Sequence, residues 1–301
     1  MSEPRKQHYV PQVYLRNFGY GKEKSLHVHV LAVSSGKIYP DCVENTAAER
    51  HFYTLDNIED KYVWENTYAS SIEPLFGESL KCIRQRCENS LIRNRSLILN
   101  EEEKAMLSLS LIFQLLRGKH TREFEKQIFD ERLPLVLDKA KELFSAWDKA
   151  ETDIFDSFKV SDNLFKEISM RVAFREESIL KYLRILMQHK FIFYRIIGNS
   201  EFITSDNPIV FMNANTHDVK PFTNGLANPI TVLYFPISPK LLLGVYHPDF
   251  YLGVLNDRDC SLEIINSEKE KKFIQLHNMK QKEQCYEYVY AHQKESLEML
   301  R

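Results

Sequence analysis

The sequence predicts an α+β protein, a central, mostly helical region packed on an antiparallel sheet built from N-terminal and C-terminal strands. Three observations carry that reading. Residues 26–31 alternate with period two and lead through Ser34-Ser35-Gly36-Lys37 into Ile38-Tyr39-Pro40, the pattern of a hairpin. The middle of the chain, from Lys61 to His189, carries its apolar residues at helical spacing instead. From Phe191 onward, runs rich in β-branched and aromatic residues alternate with turn residues. The 301 residues are read as a single domain, with an arm and hairpin over 1–60, helices over 61–190 and a β-rich part over 191–301.

Taken in order, His8 to Phe18 is expected to be a turn and short helix, because Pro11 presets a first helical turn and Val13, Leu15 and Phe18 supply apolar anchors. After the hairpin, a polar connection returns to the core through His51-Phe52-Tyr53. Lys61 to Glu88 reads as a helix interrupted at Pro74, with Gly77 just after it. Asn100 followed by Glu103 has the form of a capping box, opening a helix from Glu101 to Arg117. Its apolar residues run almost around the circumference, which predicts the central core helix, ended at Gly118.

Further helices are predicted from Thr121 to Trp147, kinked at Pro134, and from Asp162 to His189. Phe191–Ile197 and Glu201–Thr204, joined by Gly198-Asn199-Ser200, are expected to pair as a hairpin that carries Asp206 at its end. Residues 212–229 read as a surface loop, followed by paired strands at Thr231–Ile237 and Leu241–Tyr246. A short helix capped within residues 266–270 and a last strand at Tyr286–Ala291 complete the chain.

Composition excludes several classes. With 44% hydrophobic and 27% charged residues the balance is that of a globular chain. A formal net charge of -2 gives no global attraction to nucleic acid, so a nucleic-acid partner has to be met by a local patch such as Lys81, Arg84, Arg86, Arg93 and Arg95. Five cysteines without a C-x-x-C pair indicate neither a disulfide framework nor a zinc knuckle, which fits a reducing, cytoplasmic setting. The polar start and the absence of a long apolar run predict no export signal and no membrane partner. No glycine-rich phosphate loop, G-x-S-x-G elbow or H-E-x-x-H helix occurs.

The opening His8-Tyr9-Val10-Pro11-Gln12-Val13-Tyr14-Leu15-Arg16-Asn17-Phe18 resembles the His-Tyr-x-Pro-x-x-Tyr-Leu-Arg-x-Phe signature of a bacterial family known only as a domain of unknown function, number 4238. The resemblance continues through Ala48-Glu49-Arg50-His51-Phe52-Tyr53, Glu65 and Glu73, Gln114 and Arg117, Phe202 to Pro208, and Phe235 to Pro239. It implies one fold over most of the chain and a set of candidate positions, and it names no reaction.

Those positions have readable chemistry. His8 can act as a general base or metal ligand, or merely bond a neighbouring carbonyl. Asp206 can bind a hard cation or close an Asx turn with Asn207 and Pro208. Glu65 and Glu73 lie a little over two helical turns apart, so both carboxylates can share one face and one metal, or form a solvated face. Gln114 and Arg117, at i,i+3 on an apolar helix, need partners once buried. Arg117 is expected to pair with Asp206 or a glutamate, or to hold a phosphate, and Arg16 is the second guanidinium placed at the site. His27 and His29 share a strand face and read as polar surface.

Two functions stay open. One is a metal-assisted phosphodiester hydrolase, a nuclease of bacterial conflict or phage defence. There Asp206, Glu65 and Glu73 hold Mg²⁺ or Mn²⁺, His8 activates water, and Arg16 and Arg117 bind phosphate. The other is a non-catalytic binding or regulatory module whose polar cluster is structural.

Overall fold

The computed structural model describes residues 6–22, 25–56, 59–89, 91–144, 155, 157–218, 225–266 and 268–301. Its first sheet has the strand order β2-β3-β12-β7, with β4 on the free side of β3; the strands are β2 (Tyr20–Lys22), β3 (Ser25–Ala32), β4 (Lys37–Cys42), β7 (Thr204–Ser205) and β12 (Tyr288–Ala291). N-terminal and C-terminal strands therefore do build an antiparallel sheet, as expected. Pro40 is tolerated because β4 pairs only with β3 and so lies at an edge.

The second sheet, in the order β11-β6-β10-β9-β8, comprises β6 (Lys190–Ile197), β8 (Val210–Asn213), β9 (Thr231–Ser238), β10 (Leu241–Tyr246) and β11 (Ser261–Asn266). Every residue of β9 and β10 is buried. The strand β11 runs parallel to β6, the exception in an otherwise antiparallel sheet.

The predicted hairpin at residues 191–204 does not form. Instead β6 pairs with β10 and β11, while β7 joins the other sheet beside β12. Asn278 separates them: its Oδ1 accepts from Ile203 N at 3.1 Å and its Nδ2 donates to Glu201 O at 2.9 Å, taking the backbone groups a hairpin would have used. Residues 212–229 are also not wholly a loop, since β8 pairs with β9; positions 219–224 lie outside the described residues.

Among the described residues the helical region comprises α2 (Val63–Thr67), α3 (Glu73–Glu88), α4 (Glu101–Arg117), α5 (Lys119–Leu143), α6 (Asp162–Ala173) and α7 (Glu176–Gln188), after a short α1 (Gln12–Leu15). Between α2 and α3 the chain winds as a π-helix over Tyr68–Ile72, and Pro74, which has no N–H to donate to that turn, follows directly in the first turn of α3. The stretch predicted as one helix from 162 to 189 is broken at Phe174 and Arg175; Phe174 leaves the helix to stack on Phe113, ring centroids 5.9 Å apart, and to pack at a tilt against Trp64 at 5.2 Å. The helix α5 runs through Pro134, and the predicted end at 145–147 lies outside the described residues.

The capping box of α4 is present, with Glu103 N donating to Asn100 Oδ1 and Asn100 N to Glu103 Oε2, each at 2.9 Å. The helix is buried on most sides, as its pattern predicts: Lys104, Leu107, Ser108, Ile112, Gln114 and Arg117 are buried, and no residue from Glu103 to Arg117 is exposed. Buried Lys104 ties it to the base of β6: its Nζ reaches His189 O and Asp259 Oδ2, both at 2.7 Å. After the sheets, α8 (Lys271–Gln284) and α9 (Lys294–Glu298) close the C-terminal part.

The opening arm is held at several points. Strand β1 (Lys6–His8) pairs with β5 (Ala48–Arg50), and α1 crosses α3 at Gly77, where a Cβ would come within 3.3 Å of Val13 Cβ. Buried Tyr14 donates its hydroxyl hydrogen to Pro236 O at 2.7 Å and meets Thr204 Oγ1 at 2.6 Å, so one side chain bridges both sheets. A register shift between β9 and β10 beside Pro236 suits that carbonyl to a side-chain donor. The cysteines are free, and among the described residues no helix is long and apolar enough to cross a membrane.

Candidate functional site

The arm delivers His8 to the last turn of α4, where Arg117 organises a buried polar centre. Arg117 Nε donates to Tyr53 OH at 3.1 Å, and Nη2 donates to Glu73 Oε1 at 3.0 Å and to His8 O. Its guanidinium lies 4.2 Å from the ring centroid of Tyr68, a cation–π seat on the π-helical turn. Tyr53 OH in turn donates to Arg117 O at 3.2 Å. One turn earlier on α4, Gln114 Nε2 donates to Tyr9 O at 3.2 Å, so the i,i+3 pair grips two consecutive residues of the arm.

The π winding explains how Glu65, Tyr68 and Glu73 meet one arginine. On a regular helix, positions eight apart drift by most of a quarter turn, roughly 80°. An inserted wider turn changes that register and brings both carboxylates into the field of Arg117. Burial pushes the Glu65 carboxyl up to about 7; Arg117 pulls it back, and the like charge of Glu73 raises it further. His8 moves the other way, its pKa lowered mainly by burial, while Nε2 at 3.2 Å from Glu44 O opposes the shift. With Nε2 donating there, neutral His8 carries its acceptor on Nδ1.

Several buried polar atoms of this centre have no partner: Glu65 Oε2, Arg117 Nη1, Tyr68 OH and Gln114 Oε1. Leaving such groups unpaired is unfavourable by about 1–3 kcal/mol each, more when charged. Around one arginine these atoms offer unused donors and acceptors.

The structure thus brings Glu65, Glu73, Gln114 and Arg117 together with the backbone carbonyl of His8, whose imidazole bonds a neighbouring carbonyl, that of Glu44, and it leaves Asp206 and Arg16 elsewhere. Arg16 is exposed, its Nη2 at 3.4 Å from Gln12 Oε1 within α1 and the following turn. Asp206 is buried, but its Oδ1 accepts from Tyr286 N at 2.7 Å and its Oδ2 from Glu287 N at 2.7 Å and Tyr288 N at 2.9 Å. Burial pushes its pKa up to about 6 against the pull of those three N–H groups. Arg117 therefore pairs with a glutamate, the second of its expected partners, and Asp206 anchors the entry to β12. Among the described residues no group of three His, Cys, Asp or Glu side chains is placed to hold a metal ion, so the three-carboxylate set of Asp206, Glu65 and Glu73 is not assembled.

Of the basic run on α3, Arg84 pairs with Glu88 and Asn17, and Arg86 with Glu103, which reduces its charge. His29 stacks on Tyr20 at 4.5 Å, consistent with a polar strand face. Sequence reasoning did not place Tyr53 and Tyr68 in the centre. Tyr53 stood in the Ala48–Tyr53 motif but read as an aromatic anchor, and Tyr68 carried no local signal.

Fold and site define an α+β protein with a buried arginine–carboxylate centre closed by its own N-terminal arm. The chain belongs to the family described as Protein of unknown function (DUF4238), which matches over residues 6–295. No curated protein and no solved structure matches it.

Proposed function

We propose that the chain is a metal-assisted phosphodiester hydrolase acting on nucleic acid, centred on His8, Glu65, Glu73 and Arg117. The observation that carries this reading is the pair of orphaned charged atoms, Glu65 Oε2 and Arg117 Nη1, in one buried centre. Burial keeps a proton on the Glu65 carboxyl up to about pH 7, and a divalent cation competes with that proton; Mg²⁺ or Mn²⁺ is commonly held by one or two carboxylates with substrate phosphate completing the shell. Glu65 and Glu73 are the residues that would hold it. The bound ion supplies Lewis-acid polarisation of the phosphate and a more acidic water. Arg117 Nη1 offers an N–H to a non-bridging oxygen, and His8 Nδ1 accepts the proton of the attacking water.

The test is cleavage of labelled DNA and RNA with Mg²⁺ or Mn²⁺ by wild type, His8→Ala, Glu65→Gln and Arg16→Ala. The expected result is loss of cleavage by at least about 100-fold in the first two variants and wild-type rate in Arg16→Ala. Cleavage that persists in folded Glu65→Gln and His8→Ala removes the assignment. The proposed setting, bacterial conflict or phage defence, rests on the family resemblance and is checked by plaque formation with and without the active chain.

A second reading has its own observation. Arg117 joins the arm, Tyr53 and α3 through His8 O, Tyr53 OH and Glu73, as a structural staple in a non-catalytic binding module would. Under it, Glu65→Gln changes stability alone.

A further inference from the structure

A cleft of about 360 Å³ opens between the turn after β5 and the helices α5 and α6. Arg122 and Lys126 face it from α5, Lys166 from α6, and Arg50 from the end of β5. Its charges do not balance. Lys126 is neutralised by Asp162 at 2.6 Å, and Glu49 by Lys119 at 3.2 Å. Among the lining residues that leaves Arg50, Arg122 and Lys166 against Glu123, with Glu125 acting on Arg122 and Asp56 on Lys166 from outside the lining.

Arg122 and Lys166 are the telling members. Arg122 Nη1 donates to Phe52 O at 2.6 Å, and its guanidinium packs 3.6 Å from the Phe52 ring centroid. Lys166 Nζ donates to His51 O at 3.2 Å and Thr54 O at 3.4 Å. Among the described residues neither forms an ion pair with a carboxylate. Carbonyl oxygens fix the direction of these groups without cancelling their charge, which is the arrangement of a preformed anion site. Burial lowers the pKa of both, and Arg122 lowers that of Lys166 further, so the two cations act on one space. The backbone supports the same point: His51, at the centre of the turn, is held at φ 56°, a left-handed conformation. That turn carries the carbonyls that orient both cations.

We propose that this cleft binds a phosphate monoester dianion, held by Arg122 and Lys166 with Arg50 at its mouth. A monoester carries about -1.5 to -2 charges at neutral pH, matching the unbalanced cations better than a singly charged carboxylate or diester does. The site does not depend on the hydrolase reading, since none of its cations touches Glu65, Glu73 or His8. The ligand is either a free phosphomonoester or the terminal phosphate of a polynucleotide.

Calorimetric titration of the full chain with inorganic phosphate, at constant ionic strength, tests it. Saturable binding is expected, weakened about tenfold in Lys166→Gln and about threefold in Arg50→Gln. Arg50 is exposed and pairs with Lys6 through its backbone, which the substitution leaves in place, so Arg50→Gln decides the matter if Lys166→Gln does not fold. AMP binding at least as tightly as phosphate supports a free phosphomonoester; an oligonucleotide that binds better with a 5′-phosphate than with a 5′-hydroxyl supports a polynucleotide end. Acetate binding as tightly as phosphate, unchanged affinity in the variants, or no saturable binding up to ~10 mM overturns the proposal.

Discussion

Asp206 and Arg117 are both buried charges within the stretches that resemble the family, yet the fold treats them in opposite ways. Asp206 has both carboxylate oxygens occupied by three consecutive backbone N–H groups. Arg117 holds three partners but keeps Nη1 unpaired, beside the unpaired Glu65 Oε2 and Tyr68 OH. A charge whose hydrogen-bonding capacity is exhausted by local backbone fixes a chain turn. A charge left partly unsatisfied among other unsatisfied groups is poised for something else.

Substitutions can break this contrast, beginning with the largest effect. Arg117→Met leaves Glu73 unpaired and strips the arm of its clamp, and it is expected to destabilise the protein by about 3–5 kcal/mol in urea unfolding. Asp206→Asn removes the charge from three N–H bonds and should lower stability by about 2–3 kcal/mol, while cleavage per folded molecule stays at the wild-type rate. A drop in that rate would return Asp206 to the site.

Glu65→Gln is expected to act in the other direction. The folded pKa of Glu65, about 7, stands above its ordinary value of 4.5, so the folded state binds more protons than the unfolded one between those pH values. Wild type therefore loses stability as pH rises from 4.5 to 7, and the amide variant is spared that loss. After allowance for solvent screening, Glu65→Gln should be more stable than wild type by about 1 kcal/mol at pH 8 and equal to it near pH 4. Arg16→Ala, outside both regions, should shift stability by no more than about 0.5 kcal/mol.

Legibility in the sequence followed the range of the interaction. The capping box at Asn100 and Glu103, the β3–β4 hairpin and the β9–β10 pair each depend on neighbours in the chain, and each reads correctly. The strand β7 failed because its partner is β12, far along the chain, and because Asn278 of α8 occupies the backbone that a local hairpin would have used. At the site, a glutamate partner for Arg117 was foreseen from the demand that a buried guanidinium be paired. Asp206 was misplaced because an acidic turn residue looks the same whether its oxygens face a cation or three N–H groups. Tyr68 was invisible, since only the π turn aims it at Arg117.

The most direct measurement is the titration of the Glu65 side-chain carboxyl by carbon-13 NMR. An under-satisfied, buried carboxyl beside Glu73 titrates with a midpoint near 7. A midpoint in the ordinary glutamate range, near 4.5, would show a solvated or fully partnered group and would contradict the assignment of this centre as a site.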